Sequence, residues 1–210
     1  MDGGLPERPC VGQPSPGNRL LCGTTAATQN DMTRPLRSAL FLPASNPRAV
    51  EKARGLDCDA VILDLEDAVA PEAKADARVA AVTAVRAGGW GHRELAVRVN
   101  AADTQWAADD LAALAGSGVA AVLLPKLSSP ATLVAARAAL GEGPALWAMI
   151  ETARGVLDLR AIVDAGSRPD VGLAVLVAGT NDLAKELRCR PGIDRAPLLP
   201  ALAGIVLAGR

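Results

Sequence analysis

The sequence is poor in aromatic residues, and this scarcity limits both its core and its possible ligands. Its 210 residues include three Trp, one Phe and no Tyr, although half of them are apolar. The core must therefore be built from aliphatic side chains and alanine, which suits close packing of helices on strands. So few aromatic rings also argue against a surface on which nucleic-acid bases stack.

Cysteine and histidine patterns that would hold a metal are missing as well. The chain has four cysteines without a CxxC pair, and His92 is its single histidine. We therefore expect no zinc site of cysteine and histidine ligands, and reduced thiols in a cytoplasmic protein are the simplest interpretation. No GxGxxG follows the first predicted strand and no P-loop motif occurs, so nucleotide-binding folds lose their usual support.

Charge gives no indication of nucleic acid or a membrane as a partner. The chain has 22 basic and 23 acidic residues, for a net charge of −1, and an excess of positive charge is what such anionic partners require. No apolar stretch is long enough to span a bilayer. We expect a cytoplasmic protein that binds neither nucleic acid nor membrane.

Composition divides the chain into a leader and a patterned region. Residues 1–31 are rich in Gly, Pro, Thr, Asn and Gln without a hydrophobic period, which predicts a disordered leader. In residues 32–210 short apolar runs alternate with helical segments, which predicts one folded domain. The predicted strands are Leu36–Leu42, Ala60–Asp64, Leu95–Val99, Ala120–Leu124, Leu146–Ile150 and Leu173–Val177.

Helix signals fill the intervals between these strands. Pro71 predicts the start of a helix over Glu72–Ala87, with Val79, Val82 and Val85 as its apolar stripe. Ser129 is the expected N-cap of a helix that ends at Gly141. Further helices are expected over Arg48–Arg54, Thr104–Ala115, Thr152–Ala165 and Pro197–Leu207, and Thr180 or Asn181 is the expected cap of one that ends at Leu187.

Alternating strands and helices predict a parallel sheet with right-handed crossovers. Six such units fit an open doubly wound sheet, and they also fit the first six units of a closed eight-stranded barrel. The pattern of elements alone leaves both architectures possible.

Charged residues follow several of the apolar runs at the point where each strand ends. Function in parallel α/β proteins is found at the carboxyl ends of the strands. Glu151 and Asp182 follow neighbouring strands, which lie about 4.8 Å apart, so their carboxylates could share one cation. Oxygen ligands without imidazole or thiolate favour Mg²⁺. Alternatively, both are ordinary acidic residues of a helix first turn.

A second set of charged groups follows the second, third and fourth strands. Asp64, Glu66 and Asp67 form the densest acidic cluster, and Arg98 ends the third strand. A guanidinium there could bind a substrate carboxylate in a bidentate manner, or it could pair with the acidic cluster. Lys126 is either a second contact for an anion or a surface lysine.

These residues belong to segments whose order resembles the citrate lyase β-subunit family, which includes the HpcH/HpaI aldolases and malyl-CoA lyase-like enzymes. The matching segments are Arg37–Pro43, Asp64–Val69, Arg98–Asn100, Pro125–Lys126, Ile150–Thr152 and Gly179–Leu183. Each segment is a weak signal, whereas the ordered set is specific.

The resemblance implies a TIM barrel that is usually oligomeric and that cleaves a carbon–carbon bond beside a CoA thioester. It implies that a 3-hydroxyacyl-CoA such as citryl-CoA or malyl-CoA yields acetyl-CoA, or a related acyl-CoA, and a 2-oxo acid. The family's Mg²⁺ ligands fall on Glu151 and Asp182. Its substrate-binding groups fall on Arg98 and Glu151, and its CoA contacts fall on Arg37 and Lys52.

The chemistry of that reaction assigns further roles. Arg98 would neutralise and orient the substrate carboxylate, with Lys126 as a further anion contact. A base must take the hydroxyl proton, and Glu66 and Asp67 are the candidates. Arg98, Glu66 and Asp67 are thus the expected catalytic residues.

The length of the chain predicts an incomplete barrel. A TIM barrel typically needs about 250 residues, whereas only about six of eight β/α units are predicted here. We expect a fragment, a truncated product or a chain that a partner subunit or a further copy completes. Two alternatives stay open: a catalytically incomplete homologue that binds CoA or a partner lyase subunit, and a 2-keto acid aldolase that does not use CoA.

Overall fold

The computed structural model describes residues 36–210 and contains a parallel sheet of six strands. Strands β1 to β6 are Ala39–Pro43, Ala60–Asp64, Glu94–Arg98, Ala121–Leu124, Ala145–Ile150 and Leu173–Ala178. Each strand pairs in parallel with the next one along the chain. The predicted leader, residues 1–31, lies outside the described residues.

Helices connect the strands and cover one face of the sheet. Helices α1 to α8 are Pro47–Ala53, Lys74–Ala87, Ala107–Leu114, Pro130–Leu140, Ala153–Leu157, Leu159–Gly166, Thr180–Glu186 and Leu199–Gly209. Single 3₁₀ turns precede α2 and α8, at Pro71–Ala73 and Ala196–Leu198. None of the helices within residues 36–210 combines the length and the apolar character that a membrane span needs.

Strand order decides between the two architectures that the sequence left possible. A doubly wound sheet reverses its strand order at a switch point, whereas this sheet runs from β1 to β6 without a reversal. Continuous order is that of a (β/α) barrel. The fold is therefore an incomplete TIM barrel, as expected, with six strand–helix units in the described residues.

Both faces of the sheet are apolar, which is typical of parallel strands. Val61 and Leu63 face the helices in the main core, while Ile62, Leu123 and Trp147 belong to a second cluster on the inner face. Aliphatic residues and alanine dominate both clusters, as the composition predicted. The two-residue alternation along each strand then directs the polar residues that follow the inner positions toward the mouth of the sheet.

The sheet is open in the part of the chain that the structure describes, because β6 pairs with β5 but not with β1. All five residues of β2 are buried, whereas all six residues of β6 are half-buried. Phe41 of β1 is 39% exposed. The two outer strands are thus the apolar edges that an incomplete barrel predicts.

Several predicted elements differ from the structure. The first strand begins at Ala39 rather than Leu36, because the amides of Arg37 and Ser38 donate to the Asp59 carboxylate at 2.9 and 3.0 Å. The helix expected over residues 152–165 is two helices, which meet at Asp158, where φ is −92° and ψ is 8°.

The predicted valine stripe of α2 was wrong at Val79, which is 66% exposed. Val85 is buried as predicted, and Ala77, Ala81 and Ala84 make up the rest of the buried face. Small side chains let the helix approach the sheet closely. By contrast, Ser129 accepts from the Ala131 amide at 3.1 Å and caps α4 as predicted.

Candidate active site

Charged side chains from the strand ends meet around a cavity of about 520 Å³. β2 ends at Asp64 and β3 at Arg98, and these two residues are partners in the sheet register. Glu151 directly follows β5, and Asp182 lies in the first turn of α7. The residues that line the cavity include Phe41, Asp64, Asp67, Arg98, Met149, Glu151, Thr180, Asn181, Asp182 and Lys185.

Arg98 is buried and held by a carboxylate on the neighbouring strand. Its Nε and Nη2 donate to the two oxygens of Asp64, both at 2.7 Å, and two parallel bonds fix the plane of the guanidinium. Nη1 lies 2.9 Å from Glu66 Oε2 and 3.7 Å from Asp67. The acidic cluster is thus the partner of Arg98. A substrate carboxylate that binds at Nη1 would compete with Glu66 and Asp67 for this nitrogen.

Asp64 organises the loop that follows β2. It accepts from the amides of Glu66 and Ala68, both at 2.9 Å. Burial raises the pKa of Asp64, but the hydrogen bonds and charge of Arg98, with these two amides, outweigh it and hold the pKa below its usual value. Asp64 therefore stays ionised and neutralises Arg98.

The two candidate bases in this loop have different surroundings. Glu66 is 6% exposed and lies between Arg98 and the Lys126 ammonium; burial raises its pKa although both cations oppose the shift. The side chain of Asp67 is 59% exposed and lines the cavity. Asp67 is thus open to a ligand, whereas Glu66 is enclosed by its partners.

Glu151 is a buried carboxylate at the end of β5, 3% exposed. Its Oε1 accepts from the Lys126 amide at 2.8 Å. Burial raises the pKa of Glu151 to about 7, with a further rise from the charges of Glu66 and Asp182. Gly179 makes room for this side chain, since a Cβ at position 179 would overlap the Glu151 carboxylate.

Asp182 is near two ammonium groups. Lys185 Nζ lies 2.7 Å from Oδ1 and Lys126 Nζ lies 3.9 Å from Oδ2. The hydrogen bond from Lys185 and the surrounding positive charges outweigh partial burial and lower the pKa of Asp182. Helix α7 is not capped as predicted, because Gly179 rather than Thr180 or Asn181 occupies its N-cap position.

The pair Glu151 and Asp182 suits a hard divalent cation. Both offer carboxylate oxygens at one cavity, and a cation would offset the cost of ionising buried Glu151. No group of three or more His, Cys, Asp or Glu side chains within residues 36–210 is arranged to hold a metal ion. Two protein carboxylates fit the habit of Mg²⁺, which keeps waters or takes substrate oxygens as its other ligands.

The structure brings most of the predicted site residues together, with two exceptions. Arg98, Asp67, Glu151 and Asp182 line the main cavity, and Lys126 lines an adjoining one with three of them. Arg37 is exposed and precedes β1, at the amino-terminal end of the strands. Lys52 is exposed near the end of α1. Neither lines the cavity, because the carboxyl ends of the strands form it.

Two residues of the site, Lys74 and Gly179, had no role in the sequence prediction, and Asp64 had only a shared one, as an acid of the cluster that could pair with Arg98. Lys74 of α2 is 5% exposed and donates to the carbonyls of Leu65 and Glu66, both at 2.8 Å. Nothing in the sequence separates this buried lysine, or the role of Gly179, from ordinary helix and turn residues.

Known proteins resemble the chain over most of its length. It is 46% identical over 176 residues to a (3S)-malyl-CoA thioesterase of Cereibacter sphaeroides (strain KD131), covering 84% of this chain and 60% of that protein. It is 39% identical over 125 residues to an L-malyl-CoA/beta-methylmalyl-CoA lyase of the same species (strain ATCC 17025), covering 58% of this chain and 37% of the lyase. The chain thus spans 60% of the length of the thioesterase that it matches.

A solved structure extends the likeness to the fold, and a family pattern covers nearly all of the described residues. Protein CitE from Mycobacterium tuberculosis, in complex with magnesium, acetoacetate and coenzyme A, matches with a TM-score of 0.66 and 32% identity, over 81% of this chain and 60% of that one. The sequence pattern of the HpcH/HpaI aldolase/citrate lyase family matches residues 37–210. The chain therefore belongs to the HpcH/HpaI aldolase/citrate lyase family.

Proposed function

We propose that this protein is a Mg²⁺-dependent carbon–carbon lyase that cleaves a 3-hydroxyacyl-CoA, such as malyl-CoA or citryl-CoA, into an acyl-CoA and a 2-oxo acid. The observation that carries this proposal is the convergence of Arg98, Glu151 and Asp182 on one cavity. The lyase and thioesterase relatives and the magnesium and coenzyme A bound to CitE support the same substrate class.

The residues of the cavity supply the groups that retro-Claisen cleavage needs. A base takes the proton of the substrate hydroxyl, the hydroxyl carbon becomes a carbonyl, and the electrons of the broken carbon–carbon bond pass to the thioester enolate, which is then protonated. Asp67 is the better placed base, because it is exposed to the cavity while Glu66 is held between Arg98 and Lys126. Arg98 would orient the substrate carboxylate through Nη1.

Glu151 and Asp182 are the residues that would hold the divalent cation. When bound, such an ion supplies Lewis acidity and a template for the carboxylate and hydroxyl oxygens of the substrate. The Lys126 amide, which donates to Glu151, and the absence of a side chain at Gly179 fix the orientation of the Glu151 carboxylate. Asp182 must exchange part of its contact with the exposed Lys185 for the ion.

Hydrolysis of the thioester is a second candidate function, favoured by the greater identity to the thioesterase than to the lyase. In that reaction Asp67 would take a proton from water rather than from the substrate hydroxyl, and the carbon–sulfur bond would break. The same cavity could orient the substrate for cleavage of either the carbon–carbon bond or the carbon–sulfur bond.

Malyl-CoA distinguishes these functions because the products differ. Carbon–carbon cleavage gives acetyl-CoA and glyoxylate, whereas hydrolysis gives malate and free CoA thiol. We expect glyoxylate to form with Mg²⁺ present, to be absent with EDTA, and to be lost in Glu151→Gln and Asp182→Asn. Free thiol without glyoxylate would support the thioesterase. If malyl-CoA and citryl-CoA both yield neither a 2-oxo acid nor free thiol, the result would support a catalytically incomplete homologue.

Contact with CoA can be tested separately from the chemistry. Arg37 and Lys52 are the proposed CoA contacts although they lie outside the cavity, so Arg37→Ala and Lys52→Ala should raise KM for the thioester with little change in kcat. Unchanged KM in both variants, together with cleavage of a free 2-keto acid substrate, would favour an aldolase that does not use CoA.

A further inference from the structure

Lys126 has a left-handed backbone, which is uncommon for a residue with a side chain. Its φ is +49°, and residues other than glycine adopt this region at a cost in free energy. The neighbouring residues impose it: Pro125 and Leu127 are buried, and the Leu127 amide donates to the Met149 carbonyl of β5 at 3.2 Å. Such strain is concentrated at functional sites.

This conformation lets one residue contact two carboxylates from different elements. The main-chain N–H of Lys126 donates to Glu151 Oε1 at 2.8 Å, while its ammonium donates to Glu66 Oε1. The ammonium also lies 3.8 Å from Asp67 and 3.9 Å from Asp182. Lys126 therefore links the loop after β2, the end of β5 and the start of α7.

We propose that Lys126 is a positioning residue, which fixes Glu151 through its main-chain N–H and Glu66 through its ammonium, and that the left-handed backbone makes these two contacts compatible. This inference rests on the proposed function, in which Glu151 is a ligand of the divalent cation. It differs from the expectation that Lys126 contacts the substrate, and the kinetics given below distinguish the two roles.

A series of substitutions isolates the backbone contact. Lys126→Gly, Lys126→Ala and Lys126→Val all remove the ammonium and keep the main-chain N–H. They differ in how readily they adopt the left-handed region, which is free for Gly, costly for Ala and a strong outlier for Val. We expect Mn²⁺ affinity, measured by electron paramagnetic resonance without substrate, to fall from Gly through Ala to Val, by about tenfold between Gly and Val.

Arg188 provides a matched control for this series. It is also left-handed, with φ of +52°, and it is exposed. Arg188→Val imposes a comparable backbone cost without touching the carboxylates, so its Mn²⁺ affinity should equal that of the wild type. Equal affinity across the Lys126 series, or an equal loss in Arg188→Val, would overturn the inference.

The ammonium contact is tested by kinetics and by chemical rescue. Because the ammonium also lies 3.8 Å from Asp67, the proposed base, we expect Lys126→Gly to lower kcat by about 100-fold, the size of effect that a misplaced catalytic group produces, with little change in KM. Added ethylamine should restore part of kcat. A raised KM with normal kcat would assign Lys126 to substrate binding and contradict its positioning role.

The two proposals can fail separately. A wild-type chain that binds no Mn²⁺ would contradict the cation site of the proposed function. A wild-type chain that binds Mn²⁺, with the same affinity in all three Lys126 variants, would contradict the positioning role alone.

Discussion

Among the individual residues, the carboxylates of the site differ in how well neighbouring cations and hydrogen-bond donors compensate their charges. Asp64 and Arg98 form a buried bidentate pair, whereas Glu151 is buried with a single main-chain donor. The pKa values follow this difference: that of Asp64 is lowered, and that of Glu151 is raised to about 7. Glu151 is therefore the group that most needs a cation.

The raised pKa of Glu151 predicts a pH-dependent stability of the cation-free protein. Because the folded pKa lies above the unfolded value of 4.5, the folded state binds more protons between pH 4.5 and 7, and the unfolding free energy falls as pH rises through that window. The shift corresponds to roughly 3 kcal/mol. The loss measured by urea unfolding should be larger in the wild type than in Glu151→Gln, in which Glu66, whose pKa is also raised, still titrates.

Added Mg²⁺ provides the control for that prediction. Binding to the folded state should restore the stability of the wild type at pH 8 and leave Glu151→Gln unchanged. A wild type whose stability relative to the variant is the same at pH 5 and pH 8 would show that Glu151 is not a poorly compensated buried carboxylate.

Asp64 should be essential for stability as well as for the orientation of Arg98. Asp64→Ala leaves the buried guanidinium without its bidentate partner, so we expect a loss of at least about 3 kcal/mol in unfolding free energy. The double variant Asp64→Ala/Arg98→Met should recover part of that loss because the unpaired charge is gone. A single-variant loss below about 1 kcal/mol would contradict the pairing.

At the scale of the element, helix α2 supports the loop that carries Glu66 and Asp67. The ammonium of Lys74 lies beneath this loop, bound to the carbonyls of Leu65 and Glu66 and 5.1 Å from the centroid of the Trp106 ring. Helix α2 thus anchors the main chain of the loop that carries the two candidate bases.

Removal of this ammonium should loosen the loop. Lys74→Met fills the same space but removes the donor to the Leu65 and Glu66 carbonyls, so we expect a loss of about 2 kcal/mol in unfolding free energy. Faster amide hydrogen exchange in residues 64–68 should accompany it. Arg86→Met, at an exposed position of the same helix, is the control and should change neither quantity; equal behaviour of the two variants would contradict the anchor.

The elements were more predictable than the contacts between them. Five apolar runs gave strands that agree with the structure to within one residue, because a strand buried on both faces needs an uninterrupted apolar run. The first strand was wrong at its start because the Asp59 side chain binds the amides that precede Ala39, a contact between residues that are distant in sequence.

The candidate site likewise has residues that the sequence identifies and features that depend on tertiary contacts. Position at a strand end was enough to select Arg98, Glu151 and Asp182, because the carboxyl ends of parallel strands form one rim. The role of Gly179 and the left-handed backbone of Lys126 depend on how closely two neighbouring segments approach. No local sequence pattern encodes that distance, so neither feature could be predicted from the sequence.

At the scale of the whole molecule, the open sheet leaves two apolar edges. Within residues 36–210, β1 and β6 each pair on one side only, and half-buried Val175 and Val177 of β6 pack beside the inner cluster. Unpaired strand edges promote association with other chains. We propose that a further copy of the chain or a partner subunit covers them.

A lysine on the inner face of β6 should suppress such association. We expect the purified chain to self-associate as its concentration rises, and Val175→Lys to lower the extent of association because a charge at a strand edge opposes pairing. Sedimentation velocity over a range of concentrations measures this, with Val79→Lys at an exposed position of α2 as the control. Equal association in all three proteins would contradict a role for the β6 edge.

The proposed function requires Glu151 and Asp182 to hold one divalent cation at the cavity that Arg98 also lines. Crystals grown with Mn²⁺ test it most directly, through an anomalous difference map collected near the manganese edge. We predict one strong peak within coordination distance of both carboxylates, and none in Glu151→Gln. A map without a peak between these two side chains, or a peak that persists in the variant, would show that Glu151 and Asp182 do not form the cation site.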